Sequence, residues 1–190
     1  YLERRKGDGG YMFITQADSV ATQDQVRKNA SDNQVRVAWE SQRKDWNLVQ
    51  LHPADLKTAF FEVETDAHND FSGYWMPVGG DGWQDKVRQD ITIDFLGVEM
   101  QADEPAEVAA LWGKVAGLPV EEEADGLTLA FNNLKLRFVK ATDGRGNGLG
   151  GIDIAVADRQ SILQEAKARG CYRNDERVDI CGVRWYLTDP

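Results

Sequence analysis

The sequence predicts an α+β protein in which repeated βαβββ units form curved, cup-shaped mixed sheets. Three stretches open with a short alternating strand that ends in Ala-Asp, and each later closes with an apolar strand that runs into Thr-Asp. The opening strands lie at 10–18, 97–103 and 151–158, and the closing pairs are Thr65-Asp66, Thr142-Asp143 and Thr188-Asp189. The same plan in the same order indicates an internal repeat, which sets the fold class of the whole chain.

The composition is that of an ordinary globular protein with an excess of acidic residues. The chain has 190 residues, of which 42% are hydrophobic and 28% are charged. No apolar run approaches the roughly 20 residues that a membrane-spanning helix needs. The net charge of −10 disfavours nucleic acids, because phosphate binding rests on Lys and Arg. We therefore expect a small-molecule partner, and neither a nucleic acid nor a membrane.

The first unit has the least distinct helix. After the opening strand we expect Asp18 to cap a weakly apolar helix at about 19–30, followed by a strand at 35–39. Residues 67–90 then combine turn-forming Gly and Pro with large aromatic side chains. This composition predicts an ordered connector packed on the body of the protein, with a lid over a pocket as the functional alternative.

The second unit contains the clearest helix. Asp103 is expected to cap it, Pro105 lies in its first turn and Gly117 ends it. Its apolar positions follow the spacing of one helix face: Val108, Leu111, Trp112 and Val115. Three short strands should follow, at 118–120, 127–131 and 134–139. Asn132-Asn133 is expected to turn between the last two strands, because Asn tolerates a positive φ.

The third unit repeats this order in a shorter span. Asp158 is expected to cap its helix and Gly170 to end it, and the last strand lies at 182–187. The two cysteines, Cys171 and Cys181, form neither a disulfide framework nor a zinc motif. Two reduced thiols are typical of a cytoplasmic protein, which is the location we expect.

Several segments carry a resemblance to a known family. His52-Pro53, followed by Phe61-Glu62-Val63, resembles the closing hairpin of methylmalonyl-CoA epimerases and their relatives. The stretches DGGYMFITQ (8–16) and GDGW (80–83) resemble those of poorly characterised glyoxalase-like proteins of bacteria. Together with the repeated units, these segments are similar to the vicinal-oxygen-chelate superfamily, which includes glyoxalase I and the extradiol dioxygenases. The resemblance covers nearly the whole chain.

The resemblance implies a module of two βαβββ units that close one eight-stranded, cup-shaped sheet. The second and third units would supply a complete C-terminal module at 91–190, preceded by the connector at 67–90. Residues 1–66 would then be the second half of an N-terminal module. We expect its partner half either before Tyr1 or on a second subunit, so a homodimer is one of two alternatives. A partner is needed because a lone curved sheet exposes an apolar face and open edges.

The alternation of side chains along the strands predicts which residues face the cup. Six of them are candidate ligand contacts: Tyr11, Phe13, Glu62, Glu99, Asp153 and Tyr186. The same alternation turns Arg184 toward the cup. Aromatic rings there would cover apolar or cyclic parts of a ligand, and the carboxylates would pair with a cationic group.

The resemblance also implies a role for Glu62, because the family places a Glu metal ligand at this strand position. The other ligand positions of the family carry residues that do not complete a metal triad: Tyr11, Gly97, Asp153 and Tyr186. Catalytic metal sites need about three protein ligands with an open position for substrate. No cofactor is therefore required by the sequence, and a divalent metal at Glu62 is the alternative.

Three functions remain open from the sequence. The first is a glyoxalase-like protein that binds a small organic molecule in the cup without a metal. The second is a divalent-metal-dependent lyase, epimerase or dioxygenase whose other ligands lie outside the sequence given, and the third is a structural or oligomerisation module. The first is favoured, because both histidines, His52 and His68, are expected outside the cup. The sequence does not identify the ligand or decide whether the protein is an enzyme.

Overall fold

The computed structural model describes Glu3 and residues 6–68, 82–124 and 126–190. The first part of the chain forms β1 (Met12–Gln16), α1 (Val20–Asp32), β2 (Val37–Gln42), β3 (Trp46–Leu51) and β4 (Phe60–Asp66). Within the described residues these strands make a four-stranded sheet in the order β1-β4-β3-β2. Strand β1 runs parallel to β4, and the other neighbours are antiparallel, so the sheet is mixed.

The second part of the chain begins with a short 3-10 helix, Trp83–Lys86. It continues with β5 (Thr92–Ala102), α2 (Pro105–Ala116), β6 (Glu121–Glu123), β7 (Gly126–Ala130), β8 (Lys135–Lys140), β9 (Gly148–Val156), α3 (Arg159–Ala168), β10 (Tyr172–Asn174), β11 (Arg177–Ile180) and β12 (Val183–Thr188). These strands make an eight-stranded sheet in the order β10-β11-β12-β9-β5-β8-β7-β6.

The two halves of the eight-stranded sheet meet at its centre. Strands β5 and β9 pair antiparallel there, and each is parallel to the last strand of its own half, β8 or β12. The predicted α+β class with curved mixed sheets is confirmed. The lid interpretation of the connector falls mainly on residues 69–81, which lie outside the described residues.

The helix ends correct two of the predicted caps and confirm the third. The cap of α1 is Ser19, whose hydroxyl accepts a hydrogen bond from the Thr22 amide, and not Asp18. Helix α2 is preceded by Glu104, which makes no side-chain cap bond, so the predicted cap at Asp103 is wrong. Asp158 does cap α3, accepting from the Ser161 amide. At the start of α1, the carboxylate of Asp18 and the hydroxyl of Ser19 are both good caps, and the local backbone geometry selects Ser19.

The first strand after α2 begins later than predicted, because the helix end includes the residues before it. Gly117 adopts a left-handed φ of 73°, and the amide of Leu118 then donates to the carbonyl of Gly113 at 3.0 Å. This closure of α2 delays the next strand to Glu121–Glu123 instead of 118–120. The Asn132-Asn133 turn is present, but neither residue is among those described with a positive φ.

The two sheets share one hydrophobic core, which is centred on α2. Trp112 is fully buried, and its ring centre lies 5.2 Å from that of Phe61 and 6.3 Å from that of Phe13. Its indole Nε1 donates to the carbonyl of Leu56 at 3.1 Å. Helix α2 therefore packs its apolar face on the four-stranded sheet as well as on its own sheet.

The core corrects the predicted orientation of Phe13. This residue is 3% exposed and stands beside Phe61 in the parallel register of β1 and β4, on the side that faces the helices. Ile14 instead stands beside Glu62 on the opposite face. Both faces of β1 are apolar, so alternation by itself could not tell which one was buried. Phe13 is a core residue and lies on the opposite face of β1 from the one predicted.

Candidate ligand site

The concave face of the eight-stranded sheet is organised around Glu99. This residue is 2% exposed on β5, and its carboxylate accepts hydrogen bonds at both oxygens. Oε1 accepts from Nε and Nη2 of Arg184 at 2.8 and 2.6 Å, and Oε2 accepts from Nη1 of Arg137 at 2.6 Å and from the Tyr186 hydroxyl at 3.1 Å. Two guanidinium groups and a phenol thus surround one buried carboxylate.

The strand register explains why these side chains meet. Arg137 of β8 stands beside Glu99 of β5, Glu99 stands beside Gly151 of β9, and Gly151 stands beside Arg184 of β12. Side chains that are direct neighbours on one sheet face lie about 5 Å apart, and opposite charges there attract. The row therefore places one acidic residue between two basic ones.

Two further carboxylates complete the network on its outer side. Arg137 Nη2 donates to Asp153 at 2.9 Å, and Arg184 Nη1 donates to Asp143 at 3.0 Å. The side-chain amide of Gln101 links Arg184 to Asp143: its oxygen accepts from Arg184 at 2.6 Å, and its nitrogen donates to Asp143 at 2.8 Å. A buried ionic network of this kind is stabilising only when its members are paired, as they are here.

Two glycines on β9 have no side chain, and this makes room for the network. A β-bulge sets both Gly150 and Gly151 against Glu99, because Gly151 stands beside Glu99 while Leu149 stands beside Met100. A Cβ on Gly150 would come within 2.0 Å of Arg184 Nη2, and one on Gly151 within 2.8 Å of the Tyr186 ring. Only glycine at these two positions lets Arg184 and Tyr186 reach Glu99.

Burial and neighbouring groups shift the pKa values of four members of the network: Arg137, Arg184, Tyr186 and Asp143. Burial alone would lower the pKa of Arg137 and of Arg184, but the carboxylates beside them outweigh it and raise both pKa values. Burial, and then Glu99, raise the pKa of the Tyr186 hydroxyl, so it stays protonated and donates. Burial would raise the pKa of Asp143, and hydrogen bonds from Arg145 and Gln101 reverse this and hold it well below its usual range.

The donor set of this face does not fit a divalent metal ion. Each oxygen of Glu99 already accepts two hydrogen bonds, and two guanidinium groups lie within 3 Å of it. A metal ion there would displace these donors and meet two positive charges. Across residues 6–68, 82–124 and 126–190, no three His, Cys, Asp or Glu side chains lie close enough together to hold a metal ion.

Glu62 lies on the other sheet. It is 4% exposed on β4, faces away from Phe61 and the core, and accepts a hydrogen bond from the side-chain amide of Gln50 on β3. Glu64 and Asp66 follow on the same face of β4 and are also buried. Gln16 of β1 donates to Asp66 at 2.7 Å. This face therefore carries a row of three buried carboxylates, and side-chain amides donate to the first and the last of them.

The structure brings together three of the six predicted contacts, Glu99, Asp153 and Tyr186. Tyr11 lies just before β1 on the four-stranded sheet, is 55% exposed and sets its ring edge against Phe60 at 6.4 Å. The sequence analysis missed Arg137, although its place between buried Leu136 and Phe138 on β8 gave the same alternation signal. Gln101 was also not predicted, although it lies two residues after Glu99 on the same face of β5. Asp143 was not predicted either, and no local pattern connects it to Glu99.

Comparison with solved structures identifies the architecture. The chain aligns with the Mn(II)-bound glyoxalase from Novosphingobium aromaticivorans at a TM-score of 0.59 and 12% identity, over 94% of this chain and 62% of that one. It aligns with 2,2',3-trihydroxybiphenyl 1,2-dioxygenase from Sphingomonas wittichii at 0.59 and 8% identity, over 95% and 70%. A glyoxalase I variant from Zea mays gives 0.55 and 12% identity, over 100% and 72%.

These similarities show that the chain has the vicinal-oxygen-chelate fold, which the resemblance of its segments predicted. They show the fold alone, because all three identities are low. The chain spans less than two thirds of the length of the Novosphingobium glyoxalase. Comparisons with family models and with curated proteins give no match. Among the helices in the described parts of the chain, none is both long and apolar enough to cross a membrane.

Proposed function

We propose that the protein is a glyoxalase-like binding protein that holds a small organic molecule on the concave face of the eight-stranded sheet, without a metal ion. The observation that supports this is the engagement of Glu99 by Arg137, Arg184 and Tyr186. In this proposal residues 91–190 form the complete binding module, 67–90 are a connector, and 1–66 are half of another module.

The ligand chemistry follows from the groups that stay partly exposed on this face. The side chain of Asp153 is 23% exposed, whereas those of Arg137 and Arg184 are 13% and 12% exposed. Arg137 lies over the Tyr186 ring, 5.1 Å from its centre, so the ring is held in place. Asp153 is a partly exposed carboxylate beside a fixed aromatic ring, on the outer side of the network. It suits a ligand with a cationic or hydrogen-bond-donating group, which, unlike a metal ion, can approach Asp153 without displacing the donors of Glu99.

The test uses an organic cation with the metal ions removed. Benzyltrimethylammonium is titrated by calorimetry in the presence of EDTA, and we expect saturable binding that EDTA leaves unchanged. Asp153→Asn should weaken binding about fivefold, since a partly exposed ion pair contributes up to about 1 kcal/mol. The matched control is Asp24→Asn, which removes the partner of Arg27 on α1, against the other sheet. Lack of binding, or binding that EDTA abolishes, would refute the proposal.

The burial of the Glu62 carboxylate favours a second function. Its carboxylate is buried, and its hydrogen bond comes from the neutral amide of Gln50. Burying a carboxylate with a neutral partner is costly, and a cation would offset that cost. The resemblance implies a metal ligand at this position. The alternative is therefore a divalent-metal-dependent enzyme whose site is built on the four-stranded sheet.

Metal binding separates the two candidate functions. If the second one holds, the protein binds Mn²⁺ with a defined stoichiometry, and Glu62→Gln reduces the affinity at least about tenfold by removing one of about three ligands. Asp153→Ala should leave the Mn²⁺ affinity unchanged, because the concave face around Glu99 takes no part. Equal Mn²⁺ isotherms for wild type and Glu62→Gln would eliminate the second function. Elemental analysis of the purified protein gives an independent measure.

A further inference from the structure

A cavity of about 790 Å³ lies between the four-stranded sheet and the β7–β8 turn, apart from the concave face. Ligand sites typically have volumes of about 300–1,000 Å³ and occur where two structural units meet. Its inner wall includes Phe61 and Val63, which lie on the helix side of β4. The face around Glu99 contributes no residue to it. The cavity is therefore separate from the face around Glu99.

The cavity walls are mainly apolar and aromatic. Phe131, at the end of β7, sets its ring edge-on to Phe61, with centres 6.4 Å apart, and edge-on to Phe13 at 5.2 Å. These contacts pack the β7–β8 turn against the first sheet. Leu134, which is partly buried, and Phe95, which is 38% exposed, also line the cavity. Partly buried apolar side chains around an open volume favour an apolar occupant.

The charge at the cavity mouth limits the occupant further. Among the lining residues that the structure describes, Asp18 is charged and none is basic. Hydrogen bonds from the hydroxyls of Thr22 and Ser19 lower the pKa of Asp18, so it is ionised at neutral pH. The other exposed lining groups include the amides of Asn132 and Asn133. An anionic ligand is disfavoured here, whereas a neutral or cationic one is accepted.

We propose that this cavity is a binding site for a neutral or cationic molecule with an aromatic body. The ring of the ligand packs among Phe61, Phe131 and Leu134, and its polar end lies at the mouth near Asp18. This site differs from the metal-independent site around Glu99 in its location and in its apolar lining, so either can exist without the other.

Two dyes that differ by one sulfonate test the proposal. Neutral N-phenyl-1-naphthylamine should bind with saturable fluorescence enhancement, and anionic 1-anilinonaphthalene-8-sulfonate should bind at least about tenfold more weakly. Asp18→Asn should narrow this difference by improving binding of the anionic dye alone. Asp24→Asn is the matched control, because Asp24 is an exposed carboxylate on the same helix and does not line the cavity.

A variant that fills the cavity tests whether the dye binds there. Leu134→Trp should weaken binding of the neutral dye at least about tenfold by occupying the volume. Ile180→Trp, an exposed aliphatic position on β11 outside the cavity, should leave it unchanged. Asn133→Trp, which covers the mouth from an exposed turn residue, replaces Leu134→Trp if that variant does not fold. A neutral dye that fails to bind, or binds equally to the filled variant and its control, overturns the proposal.

Discussion

Replacing Glu99 by glutamine is expected to lower the free energy of unfolding by about 3 kcal/mol, because it leaves buried guanidinium groups without their central counter-charge. Arg137 and Arg184 have side chains that are 13% and 12% exposed, so water cannot take the place of the carboxylate. For a chain of this length the loss corresponds to a drop in melting temperature of about 6–12 °C. Thermal and urea unfolding of both proteins measure it.

The matched control for this substitution is Glu122→Gln. Glu122 lies on the edge strand β6 of the same sheet and is exposed. Surface substitutions of this kind change stability by less than about 0.5 kcal/mol. The variant removes the same charge from the protein, so a general effect of net charge would appear in both. Equal melting temperatures for wild type and Glu99→Gln would mean that the network does not stabilise the sheet.

Trp112→Ala is expected to destabilise the protein by about 4 kcal/mol, through lost apolar burial and a cavity in the shared core. Its side chain is fully buried between α2 and the aromatic rings of Phe13 and Phe61 on the four-stranded sheet. The substitution also leaves the Leu56 carbonyl without the indole donor that lies 3.1 Å away. Denaturant unfolding, followed by circular dichroism, measures the change.

Two variants separate the contributions at this position. Trp112→Phe keeps an aromatic ring and removes the Nε1 donor, so it should cost about 1–2 kcal/mol. Trp39→Ala is the matched control, because Trp39 is 51% exposed on the edge strand β2 and should be nearly neutral. A Trp112→Ala protein as stable as the Trp39→Ala control would contradict the shared core.

Side-chain direction was predictable where polar and apolar residues alternate along a strand. In β5 the buried apolar residues Val98 and Met100 flank Glu99, so one face had to be apolar and the other polar. The same holds for Asp153 in β9. In β1 both faces are apolar, and the pairing of Phe13 with Phe61 decided the orientation that alternation left open.

The network around Glu99 was not predictable as a unit. Glu99 lies 38 positions from Arg137 and 85 from Arg184 along the chain. Sequence patterns describe neighbours within a few residues, whereas strand register joins distant ones. A single-residue bulge at Gly150 changes which side chains meet, and no local sequence pattern predicts it.

The sequence by itself determined the fold class, the positions of the three main helices and the polar side of the central strands. These properties depend on local periods and on turn residues, which are written in consecutive positions. Only the tertiary structure decided that Glu99 is held by two arginines, that Phe13 belongs to the core, and that a cavity opens beside Phe131. These features depend on which strands pair and how the two sheets pack, and that choice minimises exposed apolar surface over the whole chain at once.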